Sequence, residues 1–293
     1  MPDGKLWAIS DLHVAFPENR MIAEALKPES EDDWLVIAGD VAESAADVEW
    51  ALNLLSERYA KVVWAPGNHE LWTPRDDTCQ LRGEARYQHL VDICRKAGVS
   101  TPEDPYPVWT GAGGPVAVAP LFLLYDYSFR ADGITSKEES LKRAFESGVV
   151  CSDEFLLHPD PYPGRDDWCR ARVEATEARL QGRSLAQPPL ILVNHYPLVR
   201  QPTRILHYQE FAQWCGTDLT ADWHIRFPVR VMIYGHLHIP RTTWYDGVRF
   251  EEVSVGYPRE WKRPGHPKIG PRQILPELPK TPVAPDGLPD ITA

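Results

Sequence analysis

Five short apolar runs are each followed at once by residues that bind metals or move protons, and this pattern constrains the fold more than any other feature. Residues 5–10 run into Asp11-Leu12-His13, and residues 34–38 into Gly39-Asp40. Residues 62–65 run into Pro66-Gly67-Asn68-His69-Glu70. Leu190–Val193 runs into Asn194-His195, and residues 229–233 lead to Gly235-His236-Leu237-His238. Runs this short and this apolar fit buried strands. Between them, residues 45–58 carry Val48, Ala51, Leu52 and Leu55 at helical spacing, and residues 81–97 form a second helical stretch. Strand alternating with helix predicts an α/β layered fold. In open α/β folds ligands collect beyond the carboxyl ends of the strands. The five polar steps are therefore expected to converge.

The residue types suit one kind of chemistry. Asp and His with an Asn carbonyl favour Mn, Fe or Zn, whereas an all-oxygen cage would favour Mg or Ca. An Asp-x-His or His-x-His step places two donors on one side of an extended segment. Glycine before Asp40, Asn68 and His236 lets the backbone turn sharply. Two metals about 3.5–4 Å apart can clamp the attacking and leaving oxygens of a phosphoryl displacement. Singly, each step has an ordinary explanation as a turn or a helix cap. The five in order, each after a strand, do not.

The rest of the chain is less regular. Residues 1–256 are expected to form the main domain, with 100–188 as an insertion or cap. Within that insertion, 115–124 (PVAVAPLFLL) predicts a strand pair interrupted at Pro120, and Lys137–Glu146 and 166–182 predict helices. Residues 242–245 and 248–255, joined by Asp246-Gly247, predict a hairpin. Residues 257–293 form a proline-rich tail, expected to wrap the surface or to be partly without order.

Several classes are disfavoured. A net charge of −11 does not suit a chain that must neutralise many nucleic-acid phosphates, so nucleic acid is not expected as a partner. No apolar run approaches the roughly 20 residues that span a bilayer, and no secretory signal opens the chain. A cytoplasmic, membrane-free protein is expected. Five scattered cysteines with no CxxC pair argue against a disulfide framework or a structural zinc site. His89, His158, His224 and His266 lie away from the strand ends and are read as surface or packing residues. Arg200, Arg204 and His207, in the loop after His195, are candidate phosphate contacts. Tyr125 and Asp126, after an apolar run, are candidates to face the site. A solvated loop and an ordinary strand end explain these two groups about as well.

The blocks DxH, GD, GNHE, H and GHxH together resemble the calcineurin-like metallophosphoesterases, over Asp11 to His238. The resemblance implies a four-layer fold, a two-sheet β-sandwich flanked by helices. It implies that Asp11, His13 and His238 hold one metal, that Asn68, His195 and His236 hold the other, and that Asp40 bridges them. It also implies that His69, held by a carboxylate, protonates the leaving oxygen or stabilises the transition state. The blocks WAISDLHVAFPENR, PGNHELW, APLFLLYDYSF, NHYPLVRQPTRI, EFAQWCGT and YGHLHIPRTTWYDGVRFEEVSVGYPREW are similar to the actinobacterial phosphopantetheinyl hydrolases. This closer resemblance implies hydrolysis of the phosphodiester between 4′-phosphopantetheine and the serine of a holo acyl carrier protein. A small-molecule or nucleotide phosphatase or phosphodiesterase is the alternative, and a non-catalytic metal-binding scaffold is the third. A carrier protein is usually acidic, so local cations are sought among Arg165, Arg170, Arg172, Arg179 and Arg183, and among Arg259, Lys262, Arg263 and Lys268.

Overall fold

The computed structural model describes residues 4–184 and 186–278. In chain order the regular elements begin with β1 (Leu6–Ile9), α1 (Pro17–Ala25), β2 (Trp34–Ile37), α2 (Ala45–Ser56), β3 (Lys61–Trp64) and α3 (Gly83–Lys96). There follow β4 (Val108–Trp109), β5 (Val116–Pro120), α4 (Lys137–Glu146), α5 (Asp153–Leu156), α6 (Arg165–Gln181) and β6 (Leu190–Val193). The chain continues through α7 (Trp223–Arg226), β7 (Val229–Tyr234), β8 (Arg241–Tyr245), β9 (Val248–Glu252), α8 (Pro258–Trp261) and β10 (Arg272–Leu275).

Two sheets result. One has the order β10-β1-β2-β3, and the other β4-β5-β6-β7-β9-β8. The central strands of each run parallel, and β10, β4 and β8 pair antiparallel at the edges. The continuous apolar runs are explained by burial on both faces. Leu6, Ala8, Val36, Ala38 and Val63 of one sheet pack against Val116, Val118, Ile191, Val193, Val231 and Ile233 of the other. The alternate residues, such as Ile9, Leu35, Ile37, Leu190, Leu192 and Met232, join the core under the helices. The fold is thus two sheets face to face with helices outside.

Local signals account for the elements. The Ser44 side chain accepts from the Asp47 amide and caps α2, which buries Val48, Ala51, Leu52 and Leu55. Ser136 caps α4 in the same way, through the Glu139 amide. Asp246 and Gly247 both have positive φ (51° and 80°), as a two-residue hairpin turn between β8 and β9 requires.

One expectation changes, and another becomes specific. The 115–124 run is one strand, not a pair. Its ladder closes where the Leu121 amide donates to the Val193 carbonyl at 2.8 Å, and Leu121–Leu124 then turn into the helix-side core. Part of the proline-rich segment is also built into the fold. β10 covers the edge of β1, and α8 packs near the strand ends. Proline occupies positions there that need no amide hydrogen, the first turn of α8 (Pro258) and the residue after β10 (Pro276). Residues 279–293 lie outside the described residues. Among the described residues, no helix is long and apolar enough to cross a membrane.

Before the chain reaches α8 it crosses between the sheets. The Val253 amide donates to the Tyr234 carbonyl (3.0 Å), and the Val255 amide donates to the Ser10 carbonyl (2.9 Å).

Candidate metal centre

The five polar steps meet at one end of the sandwich, and the backbone is unusual there. Asp11, His13, Asp40, His236 and His238 have φ of 54°, 42°, 55°, 69° and 54°. Non-glycine residues seldom occupy this left-handed region, which costs of order 1–3 kcal/mol each. Only two other non-glycine residues do so among the described ones, Tyr127 and Asp246. Tertiary ties hold the strained turns. The Asp11 amide donates to the Gly39 carbonyl (2.9 Å), the His13 amide to the Asp40 carbonyl (3.0 Å) and the Gly256 amide to the Asp11 carbonyl (3.1 Å). Gly67 is required by proximity, since a Cβ there would lie 2.0 Å from Oδ1 of Asp40.

The side chains form two adjoining groups, each drawing donors from both sheets. In the first, His238 Nε2 lies 2.9 Å from Asp11 Oδ1 and 3.4 Å from His13 Nε2. In the second, His195 Nε2 lies 3.3 Å from Asp40 Oδ2, 3.1 Å from Asn68 Oδ1 and 3.2 Å from His236 Nδ1. Asp40 Oδ2 is also 3.9 Å from His13 Nε2, so it faces both groups.

The imidazoles are oriented from behind. His195 Nδ1 donates to the Ala38 carbonyl (2.8 Å). His238 Nδ1 faces Glu260 Oε2 (2.7 Å), and His13 Nδ1 faces Glu43 Oε1 (3.3 Å). Each arrangement leaves the Nε2 lone pair aimed inward. Imidazole nitrogens that face one another with lone pairs repel unless a cation lies between them. His236 Nε2 is buried without a partner. The donor set therefore fits a pair of transition-metal ions.

Proton affinities follow the same logic. Burial alone would lower His195, but Asp40 and Asp11 raise it to about 10. Burial likewise opposes protonation of His238, but Asp11 and Glu260 hold it well above its usual value. Asp40 is held well below the usual carboxylate range, because His195, His69 and His13 outweigh its burial. His236, buried and beside His195, is pushed down to about 3. Protons thus occupy the charge balance that cations would otherwise supply.

His69 stands beside both groups. Its Nδ1 is 2.9 Å from Glu43 Oε1, and its amide donates to Asp40 Oδ1 (2.9 Å). Its ring stacks on Trp72 at 3.7 Å, and Nε2 is 3.4 Å from the Tyr257 hydroxyl. Burial would lower its pKa, but Asp40 and Glu43 raise it above the ordinary value. Its neighbour Glu70 has a different task. The Glu70 carboxylate accepts from the amides of Asp40, Val41 and Gly67, each at 3.0 Å, and so staples two of the turns together.

The five candidate substrate residues lie elsewhere. Tyr125 is fully buried, edge-on to Tyr127 and Tyr196. Asp126 accepts from the Ser128 amide at 3.1 Å. Arg200 pairs with Asp132 at 3.3 Å and donates to the Arg130 carbonyl. Arg204 and His207 are exposed, and His207 packs on Tyr208. Among the described residues, no hydrogen bond, ion pair or ring contact joins any of the five to a candidate ligand. Phe211 does reach the site, stacked 5.8 Å from the His236 ring. Glu43, Tyr257, Glu260 and Phe211 were not singled out by the sequence pattern. Only Glu43 carries a local signal, an acid in the same loop as Asp40.

The profile of the family described as Calcineurin-like phosphoesterase matches residues 4–240. The chain is 58% identical over 272 residues to the [acyl-carrier-protein] phosphodiesterase PptH of Mycobacterium tuberculosis, covering 93% of this chain and 83% of that protein. The crystal structure of phosphopantetheinyl hydrolase (PptH) from Mycobacterium tuberculosis superposes with a TM-score of 0.93 at 57% identity, covering 96% of this chain and 99% of that one. With its strand-end Asp and His groups and two facing sheets, the chain belongs to the calcineurin-like phosphoesterases, metal-dependent hydrolases of phosphoester bonds.

Proposed function

We propose that this hydrolase cleaves the phosphodiester joining 4′-phosphopantetheine to the serine of a holo acyl carrier protein. The observation that supports this most is the near-complete match to a protein named for acyl carrier protein phosphodiester cleavage, at 58% identity. In this reading Asp11, His13 and His238 hold one metal, Asn68, His195 and His236 hold the other, and Asp40 serves both. The nitrogen-rich donor set favours Mn, Fe or Zn ions. When bound, such ions supply a hydroxide nucleophile at neutral pH and neutralise the phosphoryl oxygens.

The chain's own residues complete the reaction. Water adds to phosphorus, the bond from phosphorus to the serine oxygen breaks, and that oxygen needs a proton. His69 is the donor, with Glu43 on Nδ1 directing Nε2 forward and favouring the protonated ring. Trp72 and Tyr257 flank the imidazole and limit water around it. The products are apo carrier protein and 4′-phosphopantetheine.

An acidic carrier must approach a chain of net charge −11. The cap arginines are engaged internally, Arg165 with Glu154, Arg172 with Glu103 and Arg170 with Asp167. Arg179 donates to the carbonyls of Pro102 and Asp104, and Arg183 to that of Pro188. Lys262 pairs with Glu18. Arg259, by contrast, lies over the Tyr257 ring at 5.2 Å and has no ion pair among the described residues. The carrier contact is therefore assigned to the α8 side. The test is mass spectrometry of holo carrier protein incubated with the Mn-loaded enzyme. A loss of one phosphopantetheine per carrier is expected. An unchanged carrier with rapid turnover of simple nucleotides would transfer the site to the small-molecule alternative.

A further inference from the structure

A carboxylate from the 100–188 segment reaches the candidate metal centre, and its contact falls on the one amide among the candidate ligands, which can be presented the wrong way round. Asp153 opens α5 and is fully buried. Its Oδ1 accepts from Asn68 Nδ2 at 2.9 Å and from Trp72 Nε1 at 2.6 Å. Oδ2 is buried without a partner. On the far side of the same amide, Asn68 Oδ1 faces His195 Nε2 at 3.1 Å.

An asparagine amide has one end that coordinates a cation and one that cannot. Rotation by half a turn exchanges an oxygen donor for an NH2 group that repels the ion. A carboxylate only accepts, so Asp153 selects the NH2 end and leaves the oxygen inward. The carboxylate is itself held. Arg165 donates to the carbonyls of Asp153 (3.1 Å) and Leu157 (2.9 Å) and pairs with Glu154. Glu154 also accepts from the Tyr127 hydroxyl (2.9 Å) and the Trp214 indole (2.8 Å). The Thr73 amide donates to the Leu156 carbonyl at 3.0 Å, which ties α5 to the segment following His69.

We infer that Asp153 is the positioning residue for Asn68, and that through it the 100–188 segment sets the affinity of one metal site and not the other. The other group is braced from a different part of the chain, by Glu260 on His238 and by Tyr257 stacked on His13 at 4.6 Å. The inference rests on the proposed assignment of Asn68 as a ligand.

The test is calorimetric titration of the metal-free, full-length protein with Mn²⁺, with elemental analysis of the dialysed product. Wild type is expected to take up two ions. Asp153→Leu should retain one ion and bind the second about 10–100-fold more weakly, the usual scale for loss of a group that orients a ligand. Asp153→Asn should stay close to wild type, because the donors on Asn68 and Trp72 both select its oxygen. Asn68→Asp alone sets two carboxylates face to face and should lose the second ion. Adding Asp153→Asn to it should restore binding, with the new amide donating to the new carboxylate. This exchanged pair keeps the test informative if Asp153→Leu does not fold. Asp153→Leu with two ions at wild-type affinity overturns the inference, as does an exchanged pair no better than Asn68→Asp. If Asn68→Ala also keeps both ions at full affinity, the ligand assignment falls as well. If Asn68→Ala loses an ion while Asp153→Leu does not, only the positioning role falls.

Discussion

At the residue scale, the proposed proton donor and the candidate ligands should separate in experiment. His69 is not among the seven proposed ligands, although it lies within ligand range of His13 and Glu43, so His69→Asn should leave metal content unchanged while lowering kcat by about 10²–10⁴-fold, the scale of general acid catalysis. Elemental analysis beside the carrier assay checks both halves. Asp40→Asn should instead lose metal and activity together. Metal uptake should also release protons. His195, raised to about 10 in the metal-free protein, must give up its proton to coordinate. Affinity should therefore fall as pH falls from 9 to 6. Titration in buffers of different ionisation enthalpy reads the released protons. That the seven proposed ligands and His69 converge was legible because each follows a strand at once in sequence. Glu260 and Asp153 were not, because they act from short helices remote in sequence, and nothing local marks a carboxylate that will meet His238 or Asn68.

At the element scale, one buried ion pair fixes the segment between His69 and α3. Arg86 of α3 donates to Asp77 Oδ2 at 2.8 Å, to the Glu70 carbonyl and to the Glu43 carbonyl (2.9 Å). Burial would raise the Asp77 carboxyl, but the Cys79 amide, Arg86 and the Ala45 amide outweigh it and hold it below its ordinary 3.8. A depressed carboxyl contributes stability that is complete above the unfolded pKa and lost as pH falls through the folded one. Denaturant midpoints should therefore drop below about pH 4. Asp77→Asn should weaken that dependence, the rest coming from other depressed carboxyls such as Asp40, and cost about 3 kcal/mol at neutral pH, because the Arg86 charge is left buried and unpaired. Sequence periodicity located α2, α4 and α6 to within a residue or two and the β8–β9 hairpin at its turn, although β9 ends three residues before the expected Val255, since each carries its own caps, apolar spacing or turn residues. It misjudged 115–124, and it left open whether residues 257–276 wrap the surface or lack order. Whether an apolar run pairs or packs, and whether a proline-rich segment covers an edge, depends on partners far along the chain, Val193 and β1 in these cases.

At the scale of the whole molecule, residues 257–278 pack as part of the fold, through α8 and β10. Truncation after Gly256 would remove Glu260 and uncover the backbone of β1, and exposed edge strands associate. Such a protein should aggregate, as light scattering during expression and refolding would show, and should bind the first metal poorly. The donors at the strand ends come from both layers of the sandwich, Asp11, His13, Asp40 and Asn68 from one sheet and His195, His236 and His238 from the other. Ions bound there would act as rivets through the lip of a folded-over sheet, beside the backbone stitch of residues 253–255 and the bond from His195 Nδ1 to the Ala38 carbonyl. Chelation should then loosen the two layers against each other at that end first. Hydrogen exchange should quicken at the loops after β1, β2, β3, β6 and β7 while the strands beneath stay protected.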